Sequence, residues 1–262
     1  MDIDVSIEDD FTEEQLGEIE SKLLSAFNTV FSDHGYHVFD FKFKANPKDI
    51  KPEHAEFWGG YNIELKIIEN EKYKQFEDDE DSMRRHATIV GTGQEKKLTV
   101  DISKYEYVAP KKLEEVDGLY SVYVYTPVMI VYEKLRAICQ QMEEYGRIVA
   151  THRRARARDF FDIYTIVEQW RTPVDVFEPH SINIINEVFE VKRVPLSFLL
   201  LIKNYREYHR DNFNAVRDSV NVEQRLESYD YYFDYVVGIA DQLHEIISLP
   251  IAETAIGMEI TE

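Results

Sequence analysis

The sequence predicts an α+β fold, with a strand-bearing part over residues 1–172 followed by a helical bundle over residues 173–262. Three observations carry that expectation. Polar and apolar residues alternate at period two in short segments confined to the first half of the chain, the pattern of strands with one buried face. A capped segment near the start repeats apolar residues every third or fourth position, the period of an amphipathic helix. From residue 181 onward only the helical period is found, and strands first with helices last is the order of an α+β domain followed by a bundle. No Gly/Ser-rich or Pro-rich linker marks a sharp boundary, and there is no internal repeat.

Residues 2–7, Asp-Ile-Asp-Val-Ser-Ile, form the first expected strand, with Asp2 and Asp4 on one face and Ile3, Val5 and Ile7 on the other. Thr12 and Gln15 make a capping-box pair, and Leu16, Ile19, Leu23, Phe27 and Val30 continue it as a helix over residues 13–33, ended by Gly35. Phe39, Phe41 and Phe43 alternate with Asp40, Lys42 and Lys44, which predicts a strand with its three rings on the buried face. A further strand is expected at 61–68. Glu77-Asp78-Asp79-Glu80-Asp81 is a like-charge block that reads as a solvated loop, because such runs repel themselves into extension.

Residues 97–103 alternate again, with Leu98, Val100 and Ile102 inward and Thr99, Asp101 and Ser103 outward, so Asp101 is a carboxylate in mid-strand. After a strand at 120–125, Thr126 and Pro127 supply an N-cap and a first helical residue. The helix they open buries Val128, Val131, Leu135 and Ile138 and leaves Lys134 on a flank. The next is expected to begin near Arg153 and to carry Phe160, Phe161, Tyr164, Val167 and Trp170, ending before Pro173. Helices near 181–191, 196–206 and 222–247 follow, with breaks near Pro195 and Asn212. Tyr229, Tyr231, Tyr232, Phe233 and Tyr235 in the last of them read as core at that spacing.

Length and composition narrow the function. With 262 residues, 44% of them hydrophobic and including 17 Tyr and 15 Phe, the chain can bury a sizeable core. One cysteine, Cys139, excludes an internal disulfide framework, and no amino-terminal apolar stretch resembles a signal peptide, so a cytoplasmic location is expected. The longest apolar runs, such as Phe198-Leu199-Leu200-Leu201-Ile202, fall far short of the roughly 20 residues a membrane span needs. Fifty Asp plus Glu against thirty Lys plus Arg give a net charge of −20, a field that repels polyanions and excludes broad nucleic-acid binding. Arg147, His152, Arg153, Arg154, Arg156 and Arg158 form the one dense basic segment, where a small anion could still be drawn.

The candidate chemistry rests on acids and a lysine. Two aspartates separated by one strand residue point the same way, and a third from a neighbouring strand completes an oxygen donor set for hard divalent cations such as Mg²⁺. Such ions shield a triphosphate and stabilise departing pyrophosphate. Alone, Asp2-Ile3-Asp4 reads as two surface acids, and Arg158 with Asp162 as a helix-surface ion pair of about 0.3–0.5 kcal/mol.

Taken together, Asp2-Ile3-Asp4, the strand Leu98-Thr99-Val100-Asp101-Ile102-Ser103, then Glu133-Lys134-Leu135-Arg136-Ala137-Ile138, then Arg158-Asp159-Phe160-Phe161-Asp162-Ile163-Tyr164 resemble the AbiEii/AbiGii toxin family of nucleotidyltransferases. The resemblance spans roughly residues 1–170. It implies a polymerase-β-like nucleotidyltransferase core, a mixed sheet with flanking helices, over residues 1–172. It also implies a Mg²⁺-dependent enzyme that moves NMP from an NTP to a hydroxyl of a tRNA or a protein, as the toxin of a toxin–antitoxin or phage-defence pair with a cognate antitoxin. By position, Asp2, Asp4 and Asp101 would hold metal, Asp101 would also lie near the attacking hydroxyl, Lys134 would hold the triphosphate with Arg158 assisting, and Asp159 would be a further motif acid.

Family members place a Gly-Ser turn and a helix ahead of the Asp-x-Asp strand, whereas here the pair follows Met1 directly. The alternative expectation is therefore a shortened module that binds a nucleotide or a partner protein with weak turnover or none. A third is an interaction protein whose aromatic carboxyl-terminal helix docks a partner or a second copy.

Overall fold

The computed structural model describes residues 2–91, 93–118, 120–150, 152–219 and 226–249, with the side chains of Asp2 and Ser219 outside that description. Contacts divide the chain into two compact units, Met1–Ala109 and Pro110–Glu262. The helices that carry Lys134 and Arg158 lie in the second unit. No helix among the described residues is long and apolar enough to cross a membrane.

The first unit comprises β1 (Asp2–Ser6), α1 (Glu13–Asp33), β2 (Tyr36–Asn46), β3 (Gly60–Glu69), α2 (Asn70–Phe76), α3 (Glu80–His86) and β4 (Leu98–Ser103). Its four strands form one mixed sheet in the order β1-β4-β3-β2, with β1 parallel to β4 and the other neighbours antiparallel. The α1 start is the expected one, with Gln15 Oε1 accepting the Thr12 N–H at 2.9 Å. Leu16, Leu23, Phe27 and Phe31 then lay an apolar stripe on the buried sheet face of Val38, Ile63, Leu65, Val100 and Ile102. That stripe packs along β2, at the edge of the sheet remote from β1. Ile3 and Val5, expected inside, are consequently 47% and 39% exposed.

Two sequence expectations give way in this unit. The three rings of β2 do not share one face, because a bulge between Phe39 and Lys42 shifts the register, with Asp40 at φ +51°. An inserted residue reverses the inside–outside phase of a strand, so Tyr36 and Val38 face the core before it and Phe41 and Phe43 after it. The acidic block is not an extended loop. Asp79 caps α3 by accepting the Ser82 N–H at 3.0 Å, and Glu80 and Asp81 occupy the first turn, where unsatisfied N–H groups favour negative charge.

The second unit opens with a two-stranded hairpin, β5 (Lys111–Val116) and β6 (Tyr120–Tyr125), and continues with α4 (Pro127–Cys139), α5 (Ala157–Gln169) and α6 (Pro179–Glu190). A 3-10 segment (Leu196–Tyr205), α7 (Arg206–Arg210), α8 (Phe213–Ser219) and α9 (Tyr229–Ser248) complete it. Thr126 caps α4, its hydroxyl accepting the Met129 N–H at 3.3 Å. α5 packs between α4 and α9 around fully buried Leu135, Ile138, Phe160 and Phe233. Of the α9 aromatics, Tyr229, Tyr232 and Phe233 are core, whereas Tyr231 is exposed and Tyr235 donates its hydroxyl proton to Glu168 at 2.6 Å. Ser228 caps α9, and the expected helix start at residue 222 lies outside the described residues.

β5 carries no alternation of its own, since Lys-Lys-Leu-Glu-Glu-Val is charged at four of six positions, and only pairing with β6 defines it as a strand. α5 begins at Ala157 rather than near Arg153. The residues before it are held out of the helix by side chains from elsewhere in the unit. The Arg156 N–H donates to His209 Nδ1 at 3.1 Å and the Ala157 N–H to Asn212 Oδ1 at 2.9 Å, while Asn212 Nδ2 donates to the Ala155 carbonyl at 2.9 Å. Those bonds satisfy helix-start donors that a local cap would otherwise serve.

Candidate active site

In the first unit the acids are arranged by strand register. Asp4 and Asp101 are direct partners on parallel β1 and β4, so their side chains leave the same sheet face from neighbouring strands about 4.8 Å apart. That face is the one turned away from the α1 stripe, because Val100 and Ile102 alternate with Asp101 and are buried. Asn62 of β3 is the opposite partner of Asp101, and its Nδ2 donates to Asp101 Oδ1 at 2.8 Å. Lys44 of β2 pairs in turn with Asn62. A single polar row, Asp4-Asp101-Asn62-Lys44, thus crosses all four strands.

The neighbouring row runs Asp2, Thr99, Glu64 and Lys42 by Cα register. Lys97 Nζ meets Glu64 Oε1 at 2.9 Å, and that bond, with burial opposing it and Lys44 and Lys42 adding to it, holds the Glu64 carboxyl below its ordinary range. The face therefore grades from carboxylates at the β1 edge to ammonium groups at the β2 edge. Two neighbouring carboxylates repel one another, and a hard divalent cation, which takes oxygen ligands only, fits the donor set of Asp4 and Asp101. Among the described residues no group of three or more His, Cys, Asp or Glu is gathered into a metal cage. The side chain of Asp2, the third expected ligand, lies outside them.

In the second unit, α4 and α5 bring together Lys134, Arg158 and Asp159, and add Asp162 and Arg156. Lys134 Nζ lies 3.0 Å from Asp159 Oδ1 and 2.7 Å from Asp162 Oδ2. The Arg156 guanidinium also binds Asp159, and Arg158 Nε approaches Asp162 at 3.7 Å. Burial works against the Lys134 charge, but Asp159 and Asp162 outweigh it and raise the ammonium above its ordinary pKa. Lys134, Arg156 and Arg158 thus converge on the two carboxylates of Asp159 and Asp162, in a protein whose total charge is −20. Arg158 is the exposed member of the cluster, and the Asp159 side chain is only 7% exposed.

The basic segment is partly spent inside the fold. Arg153 donates to the Gln141 carbonyl at 2.5 Å and to Glu143 at 3.1 Å, and its guanidinium lies 4.5 Å from the centre of the Tyr208 ring. Arg156 is turned onto Asp159. His152, Arg154 and Arg158 remain exposed, as does Arg147. Sequence reasoning missed Asn62, Lys42 and Lys44 as neighbours of the acids because their place depends on cross-strand register. It missed His209 and Asn212 because they act more than 50 residues from the backbone they hold.

The family model described as a nucleotidyl transferase AbiEii toxin of a type IV toxin–antitoxin system matches residues 1–235. No curated protein sequence matches the chain. Two solved structures from Helicobacter pylori resemble it. One is JHP933, at 12% identity over 94% of this chain and 76% of that chain, with a TM-score of 0.38. The other is described only provisionally as a nucleotidyltransferase, at 13% identity over 94% and 78%, also with a TM-score of 0.38. Likeness of that degree is too slight to bear on fold or chemistry.

Proposed function

Because the chain belongs to the AbiEii family of nucleotidyltransferase toxins, we propose that it is an NTP-dependent enzyme that moves an NMP group onto a hydroxyl of a tRNA or protein acceptor. The observation that carries this reading is the register pairing of Asp4 with Asp101 on parallel strands, two oxygen donors of the required kind side by side on a polar sheet face. In the transfer, the acceptor oxygen forms a bond to the α-phosphorus as the bond to pyrophosphate breaks, and the hydroxyl proton passes to a base. Asp101, held in orientation by Asn62, is assigned as that base. Asp4 and Asp101, with Asp2, would hold Mg²⁺, which supplies charge neutralisation to the triphosphate when bound.

Lys134 and Arg158 are assigned to the triphosphate by the order of the family motifs. Asp159 and Asp162 keep the lysine protonated and its side chain fixed. A cognate antitoxin follows from the family's toxin–antitoxin description. The proposal is tested by incubating the purified chain with each α-labelled NTP, Mg²⁺ and either total tRNA or a cell extract freed of nucleic acid. Label transfer is expected with one acceptor class, and a loss of at least ~100-fold in Asp101→Asn, since general acid–base groups contribute about 10²–10⁴. Calorimetry with the same NTPs separates the outcomes. Transfer that survives Asp101→Asn removes the assigned base, and nucleotide binding without transfer leaves only the binding module.

A further inference from the structure

Among the described residues the hairpin β5–β6 is a sheet of two strands, with exposed side chains on both strands. Leu113 is 54% and Tyr123 67% exposed, with Val116, Tyr120 and Val122 also outward. An isolated two-stranded hairpin is marginally stable in water, and an uncovered β edge pairs readily with another strand. Among the described residues no strand pairs with the outer edge of β5. The identity of a fitting strand is written in β5 itself. Lys111-Lys112-Leu113-Glu114-Glu115 is antisymmetric in charge about its central leucine.

We propose that β5 pairs antiparallel with β5 of a second copy of this chain, about a two-fold axis at Leu113, to make a continuous four-stranded sheet with strand order β6-β5-β5-β6. In that register Lys112 of each copy stands opposite Glu114 of the other, and Lys111 opposite Glu115. Opposite charges placed directly across from one another stabilise an antiparallel pair and like charges destabilise it. Leu113 meets its own copy. Because Leu113 is the register partner of Tyr123 within each hairpin, the two leucines and two tyrosines form one apolar row across the joined sheet. An isologous contact of this kind closes at two copies. Lys112 and Glu114 already approach at 2.5 Å within one strand, with side chains 67% and 45% exposed, so both can exchange partners across the axis. A six-residue edge buries less than a standard permanent interface, so the contact is of the weak, concentration-dependent kind.

Sedimentation equilibrium of the full chain, over a hundredfold range of concentration at low salt, tests the proposal. The expected result is a monomer–dimer equilibrium that weakens with added salt. Lys112→Glu and Glu114→Lys, each placing like charges across the axis, are each expected to weaken association at least tenfold. The double exchange, Lys112→Glu with Glu114→Lys, is expected to restore it. Neither position is buried, and an unchanged thermal midpoint confirms that the variants fold. A chain that stays monomeric throughout overturns the proposal. So does association that the single reversals leave intact, or association that the double exchange fails to recover. None of these outcomes depends on whether the chain transfers nucleotides.

Discussion

Lys134 on α4 and Asp162 on α5 are joined at 2.7 Å, so the lysine of one sequence motif is anchored by an aspartate of the other. The same ammonium holds Asp159 at 3.0 Å, and Asp159 is nearly buried with Arg156 as its second partner. Truncating Asp162 leaves Lys134 with Asp159, while truncating Lys134 removes a charge partner from both acids. Asp162→Ala is expected to cost about 1 kcal/mol, and Lys134→Ala about 2 kcal/mol, because hydrogen bonds to charged groups carry more when partly buried. Urea unfolding at neutral pH measures both. A Lys134→Ala variant no less stable than Asp162→Ala removes the shared-anchor account.

His209 is fully buried, and its Nδ1 accepts the Arg156 N–H, which leaves Nε2 as a proton-bearing nitrogen with no partner among the described residues. Burial first, and then the Arg156 charge, push its pKa down to about 4, with Asp159 opposing. Since the folded state disfavours the imidazolium, stability is full above the unfolded value near 6.5 and declines as pH falls from there to about 4. The loss over that window is on the order of 3 kcal/mol. His209→Gln keeps an acceptor for the Arg156 N–H and is expected to flatten the dependence. Urea midpoints at pH 7.5 and pH 4.5 decide it, with equal losses in both proteins as the contrary result.

The Asp40 carboxylate, at the left-handed bulge residue, accepts two bonds from Arg84 at 2.9 Å and one from Lys66 at 2.8 Å. Arg84 is the main cause, with burial opposing it and Lys66 adding to it, and together they hold the carboxyl well below the ordinary carboxylate range. Its contribution is therefore present above the unfolded value near 3.9 and is lost as pH falls through the folded one. Asn tolerates the left-handed region as Asp does, so Asp40→Asn isolates the charge. It is expected to cost about 1–2 kcal/mol at pH 7 and less at pH 3, read from thermal midpoints across that range.

Gly60 is required by close approach rather than by dihedral angle. A Cβ there would lie 1.9 Å from the Ile102 carbonyl oxygen and 3.0 Å from its carbon, both backbone atoms of the paired strand. Gly60→Ala must part β3 from β4 beside the Asp101 row, at a cost of about 2–3 kcal/mol. Gly17, exposed on α1 with nothing within 4 Å of its Cβ position, is the control. Gly17→Ala is expected to stabilise by about 0.5–1 kcal/mol. Urea denaturation of the pair, with opposite signs, is the check.

The sequence by itself determined the elements whose signals are local. Period-two alternation placed β1 and β4, Thr12 with Gln15 started α1, and Thr126-Pro127 started α4, because side-chain period and caps act within one turn or a few strand residues. It also singled out Asp4, Asp101 and Lys134, residue types whose chemistry is independent of their surroundings. Only the tertiary structure decided that Asp4 faces Asp101, that Asn62 and Lys44 extend their row, and that β5 is a strand at all. Those facts are fixed by hydrogen-bond register between segments separated by tens of residues, and a shift of one residue in that register turns every side chain to the other face. The start of α5 was hidden for the same reason. His209 and Asn212 satisfy its first backbone groups from a distant helix and turn, and the free energy of that capping is set by packing rather than by anything in the residues it caps.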